Sequence, residues 1–248
     1  MSYIPVVDFK SCGLFVDDVL GKDLEQAGHL LSNAFSEVGF VYITNSAPIE
    51  EKKRYSRLEN NFGYVGLETE KINPARPALG VGMELKDQHF FEKCHSLIHK
   101  PGNSTTLRTL FYPTLPSILK PNQIRLGEHS DYGSITLLFQ DNVGGLQVQN
   151  LQGEYVNATP IDDTVLINIG DLFELWTQSK LKSTKHRVLI PEDELRRGIP
   201  RRSLAYFVHP DDEVLIDSQI EYKHSTSNEK SEAVKGCTSC HACYGWLL

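Results

Sequence analysis

The sequence has no long run of lysine or arginine, and its formal net charge is −7 over 248 residues. Such a chain has no long-range attraction for phosphate backbones or anionic membranes. Neither nucleic acid nor a membrane surface is expected as a partner. No apolar run approaches the roughly 18 residues that would suggest a membrane span. The opening MSYIPVVDFK lacks the basic region and apolar stretch of a signal peptide. A soluble, cytoplasmic protein is the expectation. Cysteine is sparse: of the 5 present, Cys237, Cys240 and Cys243 crowd towards the C-terminus. That is no disulfide framework for a chain of this size, and a reducing compartment fits it. Internal repeats, low-complexity tracts and a clear linker are all missing, so one domain over 1–248 accounts for the length.

What is present is a rhythm of short strands behind one helix. YIPVVDF (3–9) reads as a β-branched strand. From Lys22 to Val38, Leu24, Ala27, Leu31, Ala34, Phe35 and Val38 recur at helical spacing, which predicts an amphipathic helix against the core. GFVYITN (39–45) reads as a returning strand, and the polar stretch from Ser46 to Arg76 allows only a helix at 49–58. From Thr106 onward, apolar runs alternate with turn signals: LRTLFYP, SITLLFQ, GLQVQN, TVLINIG, KHRVLIP and RRSLAYFV, with DNVGG between two of them. One short helix, DLFELWTQ (171–178), interrupts the series. The pattern predicts a mainly β fold with flanking helices, a sandwich or jelly roll.

The chemistry gathers in RLGEHSDYGSITLLFQD. His129 and Asp131 are two apart in strand-like sequence, so they project to one face while Ser130 faces elsewhere. A jelly roll brings a late strand beside an early one, which makes His186 the candidate third donor. Two imidazoles and one carboxylate on one side of a metal leave the opposite positions open, the facial triad of non-haem Fe(II) oxygenases. Arg201 and Ser203 are again two apart, so a guanidinium fork and a hydroxyl share a face and can grip a carboxylate. Tyr112, before Pro113, can add a phenolic hydroxyl, and Asn168 and Asp171 in INIGD are candidates for supporting or turn roles. Arg202 is expected on a solvated face. The remaining histidines, His95, His99 and His209 among them, lack partners at ligand spacing and are expected at the surface or in loops.

The strings GEHSDYGSITLLFQD, GGLQV, LINIGDLFELWT, KSTKHRVLIP and IPRRSLAYFVHP, preceded by NSTTLRTLFYP, resemble the isopenicillin-N-synthase-like iron(II)/2-oxoglutarate-dependent dioxygenases. The likeness is densest from about Asn103 to Asp212, with weaker support in IPVVDF, EVGFVYITN and GYVGLETEKINPARP. It implies a double-stranded β-helix core at 103–212, a shortened flanking region at 1–102 and an atypical tail at 213–248. It also implies His129, Asp131 and His186 as iron ligands, with Arg201, Ser203 and Tyr112 on the distal carboxylate of 2-oxoglutarate. No catalytic residue is expected beyond the metal centre. The implied reaction oxidises a small organic molecule by hydroxylation, desaturation or cyclisation. It consumes O2 and 2-oxoglutarate, releases succinate and CO2, and draws on ascorbate as a reductant. Many members of that family carry an asparagine two residues before the tyrosine; Leu110 stands there instead.

Departures from the family pattern are localised. SAPIEEKKRYSR follows ITN where a long helix is usual, a second gap separates RPALG from VGMELKDQHFFEKC, and YKHSTSNEKSEAVKGCTSCHACYGWLL replaces the usual helical ending. These losses are expected to uncover apolar barrel surface, which would favour a protein partner. In the tail, Cys237, Cys240, Cys243 and His241 resemble half of a zinc site, and a disordered tail is the leading expectation. Two alternatives stay open: a catalytically silent, truncated variant that acts as a binding protein, and an O2-dependent Fe(II) oxidase that uses no 2-oxoglutarate.

Overall fold

The computed structural model describes residues 4–13, 16, 21–46, 90–115, 123–192 and 198–216, and the backbone of 234–235. The helix expected at 49–58, the GYVGLETEKINPARP stretch and the cysteine-rich tail lie outside the described residues.

Two facing sheets build the core. The larger runs β1 (Val6–Asp8), β2 (Phe40–Thr44), β8 (Thr164–Ile169), β5 (Ile135–Gln140), β10 (Arg201–Val208) and β3 (Thr106–Tyr112). The smaller runs β4 (Leu126–His129), β9 (His186–Val188), β6 (Leu146–Gln149) and β7 (Tyr155–Asn157). Neighbours pair antiparallel except β1 with β2. A short pairing joins β11 (Leu215–Ile216) to β12 (Val234–Lys235). Three described helices flank the sheets: α1 (Gly21–Glu37), α2 (Phe90–Cys94) and α3 (Asp171–Trp176). This is the expected mainly β architecture, a double-stranded β-helix with helices packed outside it.

Strand β2 shows how the layers share one element. Its FVYIT is buried almost throughout, so it reads as a continuous apolar run without alternation. Val41 and Ile43 face the helices, in one cluster with Leu31, Phe35, Phe91, Phe173 and Trp176. Phe40 and Tyr42 point the other way, between the sheets, with Leu146, Val148, Leu166 and Val188. Helix α1 buries Ala27, Leu31, Ala34 and Phe35 at three- and four-residue spacing. It ends at Gly39, whose φ of 76° suits glycine and whose N–H bonds the carbonyl of Ala34 at 3.1 Å. A Cβ at Gly39 would lie 2.3 Å from both Lys182 O and Thr184 Oγ1. The helix end therefore packs directly on the segment that leads into His186.

Several elements differ from the sequence reading. Helix α2, strand β7 and the β11–β12 pairing form from segments that carry little periodicity of their own. Strand β4 stops at His129, so Asp131 lies in the loop beyond it rather than on the strand. On the outer face of β3, Leu107 and Phe111 are 60% and 59% exposed. Among the described residues no helix is long and apolar enough to cross a membrane.

Candidate active site

The smaller sheet brings the two histidines together. His129, the last residue of β4, and His186, the first of β9, are direct register partners. Their ring centroids are 4.2 Å apart. Between Leu126 and His129 the pairing shifts by one residue, because Leu126 stands opposite Val188 and His129 opposite His186. In an unbroken strand, residues three apart face opposite sides. The bulge lets Leu126 pack between the sheets while His129 faces the site.

Both imidazoles are held in one tautomer. His129 Nδ1 lies 2.9 Å from Gly127 O, and His186 Nδ1 lies 3.1 Å from Thr184 O. A carbonyl only accepts, so each Nδ1 carries a proton, and in the neutral ring Nε2 is the atom with the lone pair. Those Nε2 atoms are 3.9 Å and 3.7 Å from Asp131 Oδ1. Burial pushes the His186 imidazole below the ordinary histidine pKa, against the pull of Asp131. It is therefore neutral and available as a donor near neutral pH. His186 and Phe40 also pack in a T-shaped pair, with centroids 5.4 Å apart.

Asp131 is 7% exposed and oriented from its far side. Its Oδ2 accepts from Thr136 Oγ1 at 2.7 Å and from Asn168 Nδ2 at 2.8 Å, which leaves Oδ1 facing the histidines. Thr136 on β5 and Asn168 on β8 are register partners, so a rigid sheet aims the carboxylate although the loop carries it. The loop is pinned to the start of α3: Asp171 N bonds Asp131 O at 2.8 Å, and Leu172 N bonds Tyr132 O at 3.1 Å. Asp171 also accepts from Ser130 Oγ at 3.2 Å and Ser183 Oγ at 2.6 Å. Gly170 makes this approach possible, since a Cβ there would sit 2.2 Å from Gly133 O and 3.0 Å from Asp131 O. Ligand atoms of His129, Asp131 and His186 lie within 4.8 Å of one another.

A second cluster lies on β10 and its neighbours. Arg201 and Ser203 are buried and Arg202 between them is exposed, the alternation expected of a strand. Arg201 Nη1 donates to Ser203 Oγ and Nη2 to Gln140 Oε1, each at 3.3 Å. Tyr112 is the register partner of Arg201, and the guanidinium carbon sits 5.1 Å from its ring centroid. Burial raises the Tyr112 phenol above its ordinary pKa, with Arg201 and then Arg125 pulling the other way. Leu110 faces the same interior, paired with Ser203, where the family pattern has asparagine.

Two residues escape the sequence reading. Arg125, just before β4, bonds through its backbone N–H to Val188 O at 2.9 Å, and its guanidinium carbon lies 5.9 Å from the Tyr112 centroid. A lone arginine beside a strand carries no spacing signal. His95 lies in a turn, as expected of a loop residue, but it is half-buried and bonded: its Nδ1 bonds Phe91 O at 2.7 Å and its Nε2 contacts Ser134 Oγ at 2.9 Å, with Trp176 beside the ring. The turn that follows α2 holds it against Trp176 at the edge of the core. His209, in the loop just after β10 as expected, stacks on Tyr132, and His99 is exposed as expected.

Residues 103–210 match the model of the 2OG-Fe(II) oxygenase superfamily. The 2-oxoglutarate-dependent dioxygenase htyE of Aspergillus rugulosus is 40% identical over 151 residues, 58% of this chain and 44% of that protein. Among solved structures, a C-terminally truncated Neurospora crassa protein in apo form is 30% identical with a TM-score of 0.57, covering 83% of this chain and 94% of that one. The full-length form of that Neurospora crassa protein, in complex with alpha-KG and thymine, is 25% identical with a TM-score of 0.71, covering 94% and 93%. The chain belongs to the 2OG-Fe(II) oxygenase superfamily. It spans less than half the length of the curated relatives it matches, 44% and 41% for the first two.

Proposed function

We propose that the chain is a non-haem Fe(II)/2-oxoglutarate-dependent dioxygenase that oxidises a small organic molecule. His129, Asp131 and His186 would hold the iron; Arg201, Ser203 and Tyr112 would hold the distal carboxylate of 2-oxoglutarate. The observation that carries this reading is the convergence of two Nε2 atoms and one carboxylate oxygen, each with its other polar atom tied away. That donor set suits Fe(II), which accepts imidazole and carboxylate together and leaves coordination positions for other ligands.

Bound iron, 2-oxoglutarate and O2 supply the oxidising chemistry: one oxygen atom goes to succinate, formed with loss of CO2, and the other oxidises the substrate. The protein's own part is placement. Asn168 and Thr136 fix the carboxylate, Gly127 and Thr184 fix the rings, and the buried Arg201 fixes the far end of the keto acid. Burial around His186 keeps water from that side of the centre. A small-molecule substrate accords with the full-length Neurospora crassa protein, whose complexes contain thymine and 5-formyluracil. A cytoplasmic location and ascorbate as reductant belong to the same reading.

The test is anaerobic addition of Fe(II) and 2-oxoglutarate to the purified chain, following the weak visible band of the keto-acid–iron complex. The band is expected, together with 2-oxoglutarate-dependent succinate formation in air that is lost in Asp131→Ala. Iron binding without the band would favour an O2-dependent oxidase. Failure to bind either would mark a silent binding protein.

A further inference from the structure

The buried side-chain nitrogens and oxygens that lack a hydrogen-bond partner are confined, among the described residues, to one place. They are Nε, Nη1 and Nη2 of Arg125, Nε of Arg201 and Nε2 of Gln140. All five are donors, and no acceptor is orphaned with them. Buried donors are ordinarily paired, and an unpaired buried charge is costlier than an unpaired amide. The two guanidiniums also repel: each lies against the Tyr112 ring, and the charge of Arg125 acts unfavourably on Arg201. The carboxylate that acts on both is Asp141, whose own oxygens serve the backbone N–H groups of Val143 and Arg202. An acceptor-only anion is the group that would satisfy this set.

We propose that Arg125 is a second cationic contact for the distal carboxylate of the 2-oxo acid, so that Arg125 and Arg201 grip it from the two sheets. The inference rests on the reading of the site given above. Arg125 lies four residues before His129, about 13 Å along an extended strand, and therefore at the Tyr112 and Arg201 end of the pocket rather than at the metal. The grip bridges the sheets: Arg201 belongs to β10 of the larger sheet, while Arg125 bonds Val188 of β9 in the smaller one. It also offers a physical account of Leu110. Where the family pattern places a polar amide, this chain has an apolar side chain, and a guanidinium from the opposite sheet supplies the missing donors. The ligand class is a dicarboxylic 2-oxo acid, and a monocarboxylic one leaves Arg125 unsatisfied.

The experiment is an anaerobic titration of the Fe(II)-loaded full chain with 2-oxoglutarate and, separately, with 2-oxovalerate, which keeps the five carbons and ends in a methyl group. The visible band gives a dissociation constant for each. Arg125→Gln is expected to weaken 2-oxoglutarate about 10- to 100-fold, the loss typical of a hydrogen bond to a charged group. It is expected to leave 2-oxovalerate within about 2-fold, since that ligand has no carboxylate for Arg125 to hold. Unchanged 2-oxovalerate binding also reports an intact fold. Arg125→Lys, which keeps the charge and loses the fork, should fall between. An unchanged 2-oxoglutarate constant in Arg125→Gln, or an equal loss for both acids in both variants, overturns the inference alone. Absence of a band in the unaltered chain with 2-oxoglutarate overturns the underlying reading and this inference with it.

Discussion

Asn168 donates its side-chain amide to Asp131 Oδ2 at 2.8 Å, and the two residues meet across the junction of β8 with the loop after β4. This bond decides which oxygen of Asp131 faces the histidines. Asn168→Ala is expected to lower Fe(II) affinity about 10- to 100-fold, the usual cost of removing a partner that orients a ligand. Thr136 would still hold one side of the carboxylate, so the loss should be partial. An Fe(II) binding isotherm for the variant checks it, with Asp131→Ala as the reference for complete loss.

Gly170→Ala places a methyl against Gly133 O, where the ideal Cβ distance is 2.2 Å, and the neighbours in contact are backbone rather than flexible side chain. The loop that carries Asp131 has to shift. The variant is expected to lose about 1–3 kcal/mol of stability, as overpacking typically costs, and to weaken Fe(II) binding as well. Urea unfolding and the same isotherm measure the two effects. Full stability with impaired iron binding would mean that the loop alone absorbs the strain.

Trp176 is 0% exposed and packs on Phe90, Phe91 and Phe173 at centroid distances of 5.7, 5.6 and 6.2 Å. Trp176→Ala should cost about 3–5 kcal/mol, the range for deleting a large buried aromatic. Helix α2 depends on this contact more than on its own five residues, which are too few to be stable alone. Denaturant unfolding followed by circular dichroism is the measurement.

Acid should destabilise the metal-free chain through buried imidazoles. Burial depresses the pKa of His95 and of His209 below the ordinary histidine value. Between the depressed folded value and the unfolded value of about 6.5, the unfolded state binds more protons. Stability is therefore full above that unfolded value and falls as pH drops through it towards the folded one. His95→Gln should flatten this slope. Melting temperatures of the metal-free protein and the variant between pH 5 and 8 show whether it does.

Much of this is legible in the sequence, for a physical reason in each case. Arg201 and Ser203 share a face because β10 alternates regularly, and period-two patterns survive wherever a strand is paired on both sides. Helix α1 is legible because its apolar stripe is uninterrupted. The spacing of His129 and Asp131 makes them neighbours, although the geometry differs: the strand ends between them, and the sheet behind holds the carboxylate in place. Arg125 is silent because a single arginine means nothing until two sheets close over it. His95 is silent because its burial depends on α2 docking against Trp176, a contact between distant segments that leaves no local pattern.

The one-residue shift in β4 has a consequence for how the gene can vary. Gly127 and Glu128 are exposed, and many side chains would fit at either position. Their number is fixed even though their identity is not. Removing one codon here would restore a regular strand with His129 still opposite His186, but it would remove the bulged backbone whose Gly127 carbonyl holds the Nδ1 of His129. At this point the lineage is open to substitution and closed to deletion.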